Sequence, residues 1–224
     1  MPIFEAVIMA LVLAGLTGPQ EDVSFPTQDG GVVHADTYGQ GDRGIVLAPG
    51  GRFNKESWST QAQALAKAGF RALAIDFRGR GQSRGGPRSS SPDELYLDVL
   101  AAVRYLHETG AKSVSVVGAS LGGWAAARAA VEAPPGEIDR IVLLAPAGID
   151  EPERLKGRKL FVTSRHDLDV RGIPRLEMIR EQYDRAPDPK ELIVLEGSAH
   201  AQFIFETNQA ERLMREILRF LSEP

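Results

Sequence analysis

Cysteine is absent from the 224 residues. That excludes a disulfide framework, a thiolate nucleophile and any Cys-ligated metal, and it leaves the redox compartment unmarked. Excess positive charge is missing too: 26 Lys and Arg stand against 30 Asp and Glu, a net charge of −4, which lacks the electrostatic footprint of a nucleic-acid binder. The local cluster Arg78, Arg80, Arg84 and Arg88 reads as solvated loop surface. Histidine occurs four times, without metal-ligand spacing, and no Walker-type phosphate loop is present. No metal or cofactor is expected. The apolar run from Ala6 to Leu16 is too short to cross a bilayer, so no stable membrane span is expected. Glu5 occupies the region where a secretory signal carries positive charge, no Lys or Arg precedes the run, and no small-x-small cleavage site follows. Residues 1–20 therefore read as an apolar segment packed on a cytoplasmic protein, with export through residues 1–18 as the alternative, and residues 21–224 as a single domain.

What is present is an α/β pattern. Val23–Thr27 and Val32–Tyr38, split by Asp29-Gly30-Gly31, predict an opening antiparallel hairpin. The near-continuous apolar runs Ile45–Ala48, Ala72–Ile75, Val114–Val117, Ile141–Leu144, Leu160–Thr163 and Leu192–Leu195 predict strands buried on both faces of a mostly parallel sheet. Eight strands result. Helical patterns fall between them, at about Ser57–Ala68, Pro92–Glu108, Leu121–Val131, Pro174–Tyr183 and Thr207–Leu221, which places helices on both faces. Ser91-Pro92-Asp93-Glu94 supplies a helix start, and Gly69 and Gly110 supply stops. Between Ala145 and Arg158 there is no room for a large cap.

One serine sits where a strand meets a helix, in Gly118-Ala119-Ser120-Leu121-Gly122. A nucleophile on such a turn has a strained backbone, and the residues two before and two after it must be small to clear neighbouring chain. Glycine meets that need at both positions. The plain alternative is a serine that caps an alanine-rich helix. A second copy of the pattern, Gly81-Gln82-Ser83-Arg84-Gly85, has neither strand before it nor helix after it, so Ser83 fails the same geometric requirement.

A serine nucleophile needs a base, and the base needs a carboxylate to fix its tautomer. His34 belongs to the hairpin, His107 to a helix and His166 to the loop after the penultimate strand. His200 follows the last strand in a Gly/Ser/Ala loop, at the carboxyl edge of the sheet where ligands bind in open α/β folds. It is the candidate base. Thr163-Ser164-Arg165-His166-Asp167-Leu168-Asp169 supplies the acid from a neighbouring strand end, with Asp167 preferred and Asp169 in reserve.

The order Ser120, Asp167, His200 resembles the alpha/beta-hydrolase family, from about residue 22 to the carboxyl terminus, and suggests a small, lidless serine esterase-like member. Asp76-Phe77-Arg78-Gly79-Arg80-Gly81-Gln82-Ser83 is similar to the family's D-x-R-G-x-G-x-S loop, which implies a structural role for Ser83. The resemblance further implies that the loop after Ile45–Ala48 furnishes half of an oxyanion hole. It reads Ala48-Pro49-Gly50-Gly51-Arg52-Phe53, with Pro49 departing from the usual His-Gly. The donors expected are the backbone N–H groups of Gly51 and Leu121, with Arg52 as the alternative to Gly51. Arg52, Phe53, Trp124 and Phe203 are candidates for the substrate site. The expected activity is hydrolysis of small or short-acyl carboxylic esters through an acyl-enzyme, with a small-molecule ester as partner; the sequence does not reveal the oligomeric state. Peptidase, thioesterase or lactonase chemistry on the same groups, or a silent hydrolase fold used for binding, are the alternatives.

Overall fold

A computed structural model describes residues 21–87 and 92–223. The expectations for residues 1–20, for Arg88 and for the Ser91 cap lie outside them. Among the described residues no helix is long and apolar enough to cross a membrane.

The hairpin forms from β1 (Glu21–Pro26) and β2 (Val32–Tyr38). It closes where the Thr27 amide donates to the Gly31 carbonyl at 3.0 Å, with Gly30 in the left-handed region at φ +86°. Then strands and helices alternate: β3 (Arg43–Ala48), α1 (Ser59–Lys67), β4 (Arg71–Ile75), α2 (Leu95–Glu108), β5 (Ser113–Ala119), α3 (Leu121–Glu132) and β6 (Arg140–Leu144). β7 (Arg158–Ser164), α4 (Arg175–Arg185), β8 (Lys190–Leu195) and α5 (Ala210–Ser222) complete the chain. The sheet order is β1-β2-β4-β3-β5-β6-β7-β8. β2 runs antiparallel to both its neighbours and the rest are parallel, so the strand ends of β3 to β8 share one edge. No large cap covers that edge among the described residues.

Burial follows the apolar pattern with one exception. β3, β5, β6 and β7 are buried nearly throughout, whereas β8 is the outermost strand and its Leu192, Ile193 and Val194 are half-buried, because an edge strand has a neighbour on one side alone. Behind β5, α3 lies close to the sheet since its inner positions, Ala125, Ala126, Ala129 and Ala130, are the smallest side chains available and are fully buried. The predicted Ser57–Ala68 helix divides into a 3-10 turn, Lys55–Trp58, and α1. The Lys55 amide donates to Asp76 Oδ1 at 2.8 Å, which holds the start of that turn against the end of β4.

Arg78 organises the opposite flank of the loop after β4. It donates to Asp98 Oδ1 at 2.7 Å and to Asp29 Oδ2 at 2.8 Å, joining the hairpin to α2. Burial raises the Asp29 carboxyl, but the bonds it accepts from Arg78 and Thr27 outweigh this and hold it at about 2. A folded value below the unfolded 3.8 contributes stability above pH 3.8 that disappears as pH falls through about 2. Asp29→Asn is therefore expected to lower the thermal midpoint at neutral pH, and the gap to wild type should close as acid is added. A gap independent of pH would assign the effect to packing instead.

Candidate active site

The Ser120 elbow rests on sterics. Ser120 has φ +52° and ψ −111°, a conformation that a side chain rarely adopts, and its amide donates to the Leu144 carbonyl of β6 at 2.9 Å. A Cβ on Gly118 would stand 2.3 Å from the Gly122 carbonyl oxygen, and one on Gly122 2.3 Å from the Ala48 oxygen. Neither backbone can yield without moving β3 or α3. Gly122→Ala is expected to destabilise the fold by about 3 kcal/mol, the upper range for overpacking, measured by urea unfolding. A loss under about 0.5 kcal/mol would mean the contact relaxes freely.

The candidate acid and base, Asp167 and His200, are brought together by two parallel neighbours. Ser164 at the end of β7 pairs with Leu195 at the end of β8. Beyond them the loops stay knitted, with Arg165 N–H donating to the Leu195 carbonyl at 2.8 Å, His166 N–H to Gly197 at 2.9 Å and Ser164 Oγ to Ala199 at 2.7 Å. His200 Nδ1 donates to Asp167 Oδ2 at 2.7 Å, and His200 Nε2 accepts from Ser120 Oγ at 2.8 Å, a tautomer assigned from this network. Asp167 is buried, and Arg175 Nε lies 3.7 Å from its other oxygen. Asp169 is used differently. Its carboxylate accepts from the amides of Ile173 at 2.9 Å and Arg171 at 2.8 Å, and the Ile173 bond above all holds it below the usual carboxylate range.

From β5 to β8 is three strand spacings, about 14 Å, so the imidazole must be carried back across β6 and β7. The segment after it does this. A 3-10 turn, Ala201–Glu206, starts with Ala201 at φ +50° and is fastened to the loop following β3. Phe203 packs on Phe53 with ring centres 5.0 Å apart, Phe205 meets Trp58 edge-on at 6.0 Å, and Gln202 Oε1 accepts from Gly50 N–H at 2.7 Å. No local pattern in the sequence marks this turn or singles out Gln202.

The β3 loop itself forms a tight turn in which Phe53 N–H donates to the Gly50 carbonyl at 2.9 Å. Gly50 N–H is committed to Gln202, so the next donors along the chain are Gly51 and Arg52. Gly51 lies against Leu121, a Cβ built on it falling 3.4 Å from Leu121 Cδ2. Leu121 opens α3, where first-turn amides have no intrahelical acceptor. Of the candidate substrate-site residues, Phe53 and Phe203 come together, Arg52 is exposed, and Trp124 lines a separate cleft with Arg128 and Ile149. A cavity of about 240 Å³ opens beside Phe53 and Gln202, with Ser57, Thr60 and Phe205 in its wall. A larger one, about 400 Å³, lies among Thr37, Gln40 and Arg71 at the other end of the strands, away from these groups. Ser83 is buried, and its Oγ accepts from the His34 amide at 2.8 Å.

A model of the alpha/beta hydrolase family matches residues 45–195. The chain belongs to that family. Over 168 residues the chain is 30% identical to the rat (Rattus norvegicus) protein ABHD14B, covering 71% of the chain and 75% of the relative. It is 28% identical to the dihydrolipoyllysine-residue acetyltransferase component of an acetoin cleaving system from Cupriavidus necator, over 68% of the chain and 39% of that protein. The chain thus spans about two fifths of the length of several curated relatives it matches, 39% and 41% for the first two. Among solved structures, the esterase Pf2001 of Pyrococcus furiosus superposes with a TM-score of 0.73 at 21% identity, covering 91% of this chain and 92% of that one. At that identity the likeness concerns the fold.

Proposed function

We propose that this alpha/beta hydrolase is a serine esterase acting on small or short-acyl carboxylic esters, with Ser120 as nucleophile, His200 as base and Asp167 as its orienting acid. The observation that carries the reading is the unbroken hydrogen-bond chain Ser120–His200–Asp167 beneath an uncapped rim. Ser120 Oγ attacks the ester carbonyl while Nε2 takes its proton. The buried carboxylate steadies the imidazolium, and the amides of Leu121 and of Gly51 or Arg52 receive the negative oxygen, each donor contributing about 3 kcal/mol in the transition state. Nε2 then protonates the departing alkoxide, an alcohol leaves, and water repeats the sequence on the acyl-enzyme to release a carboxylic acid.

Two features support the substrate class: among the described residues no large cap covers the rim, and the Phe53–Phe203 pair, with ring centres 5.0 Å apart, offers a short apolar wall. A fluorophosphonate is expected to modify the protein on the peptide carrying Ser120, and 4-nitrophenyl acetate or butyrate to turn over faster than long-chain esters. Absence of labelling would favour the silent binding module. Labelling with preference for a thioester, lactone or peptide would keep the nucleophile and change the substrate.

A further inference from the structure

We propose that Gln202 and Arg80 are positioning residues that clamp the turn after β3 so that its free amides face Ser120; the proposal rests on the esterase reading above. Three consecutive peptide planes of that turn are each held at one end. Gly50 N–H donates to Gln202 Oε1 at 2.7 Å, the Gly50 carbonyl accepts from Phe53 N–H at 2.9 Å, and the Gly51 carbonyl accepts from Arg80 Nη2 at 2.6 Å. In a trans peptide the carbonyl of one residue and the N–H of the next point in opposite directions. Fixing the two carbonyls therefore fixes where Gly51 N–H and Arg52 N–H point, away from Phe53 and away from Arg80.

Gln202 is built into this place. It is buried, two residues after His200, and its Nε2 donates to Ser57 Oγ at 2.9 Å, while Ser57 Oγ donates in turn to the Asn54 carbonyl. One side chain thus ties the loop carrying the base to both ends of the segment carrying the oxyanion donors. With proline at 49 the family's usual residue is missing from the turn, and two bonds from outside add to the one the turn makes within itself. Arg80 adds charge to geometry: a guanidinium on the Gly51 carbonyl polarises the peptide whose other end is Arg52 N–H and strengthens that amide as a donor. It occupies a variable position of the D-x-R-G-x-G-x-S loop, where the sequence alone reads as solvated loop surface.

A positioning role predicts a particular pattern of losses. For 4-nitrophenyl acetate, Gln202→Leu is expected to lower kcat about 10–100-fold with KM changed less than about threefold, because misplaced donors matter where the oxyanion forms. Affinity for a methyl trifluoromethyl ketone, whose adduct carries that oxyanion, should fall by the same factor as kcat/KM. Gln202→Glu, which keeps an acceptor for Gly50 N–H, should recover about tenfold over Gln202→Leu. Arg80→Met, at the exposed rim, should lose about 3–10-fold in both quantities, and it decides the matter if Gln202→Leu does not fold. Unchanged kcat and ketone affinity in the folded variants would overturn the clamp, as would a loss confined to KM. Wild-type turnover by Ser120→Ala would instead overturn the esterase reading itself.

Discussion

Ser120→Ala is expected to lower kcat for a small ester by about 10⁵–10⁶-fold and to abolish fluorophosphonate labelling, with the fold intact. The fold should survive because the elbow is determined by its neighbours: Gly118 and Gly122 supply the clearance, and the Ser120 amide stays bonded to Leu144 whatever the side chain. What disappears is the hydroxyl oxygen 2.8 Å from His200 Nε2, the atom proposed to form the acyl bond. The residue left behind still offers the amides of Leu121 and the β3 turn, so hydrolysis by free water should remain measurably above background. Kinetics with 4-nitrophenyl acetate and intact-mass analysis after labelling measure both effects. Retention of more than about a tenth of the wild-type rate would remove Ser120 from the chemistry.

Asp167→Asn should cost about 10⁴-fold in kcat while leaving KM and the thermal midpoint nearly unchanged. An ionised carboxylate only accepts, so it selects the imidazole with its proton on Nδ1 and leaves Nε2 free to take the proton of Ser120. An amide can turn its NH₂ toward Nδ1, which places the ring proton on Nε2 and removes the base. Asp169→Asn is the natural contrast. Its carboxylate closes the loop between Leu168 and Pro174 through Arg171 and Ile173 and does not meet His200, so its loss should stay within about fivefold. Equal losses in the two variants would show that loop order, rather than the tautomer, is what matters.

Much of the architecture was legible because steric and periodic demands leave few choices. Strands buried on both faces must be apolar runs, helix stops at Gly69 and Gly110 need left-handed backbone, found at φ +85° and +102°, and an elbow needs glycine on both sides of its serine. The parallel order then puts Ser120, Asp167 and His200 on one edge. The return path of the base loop was not legible. Its left-handed residue is Ala201, not glycine, and its fastening comes from contacts across some 150 positions of sequence, Gln202 to Gly50 and Phe203 to Phe53, which no local pattern announces. The start of α5 shows the same limit. The pattern from Thr207 predicts a helix, but Thr207 Oγ accepts from the Gln209 amide and the helix begins at Ala210, since a threonine hydroxyl competes with the backbone for early amides. Trp124 and Phe203 are equal candidates for the substrate site in sequence, and only the packing separates them: Phe203 packs on Phe53, and Trp124 lines a cleft with Arg128 and Ile149.

The alanine-lined back of α3 has a bearing on how such a protein can change its taste in substrates. Fully buried methyl groups at 125, 126, 129 and 130 leave no larger side chain to trim, so the floor under Ser120 is closed to remodelling from below. Laboratory evolution toward bulkier acyl chains should collect its gains in the surface segments around Arg52 and Phe203, and variants recovered with changes on the inner face of that helix should be rare among the folded survivors.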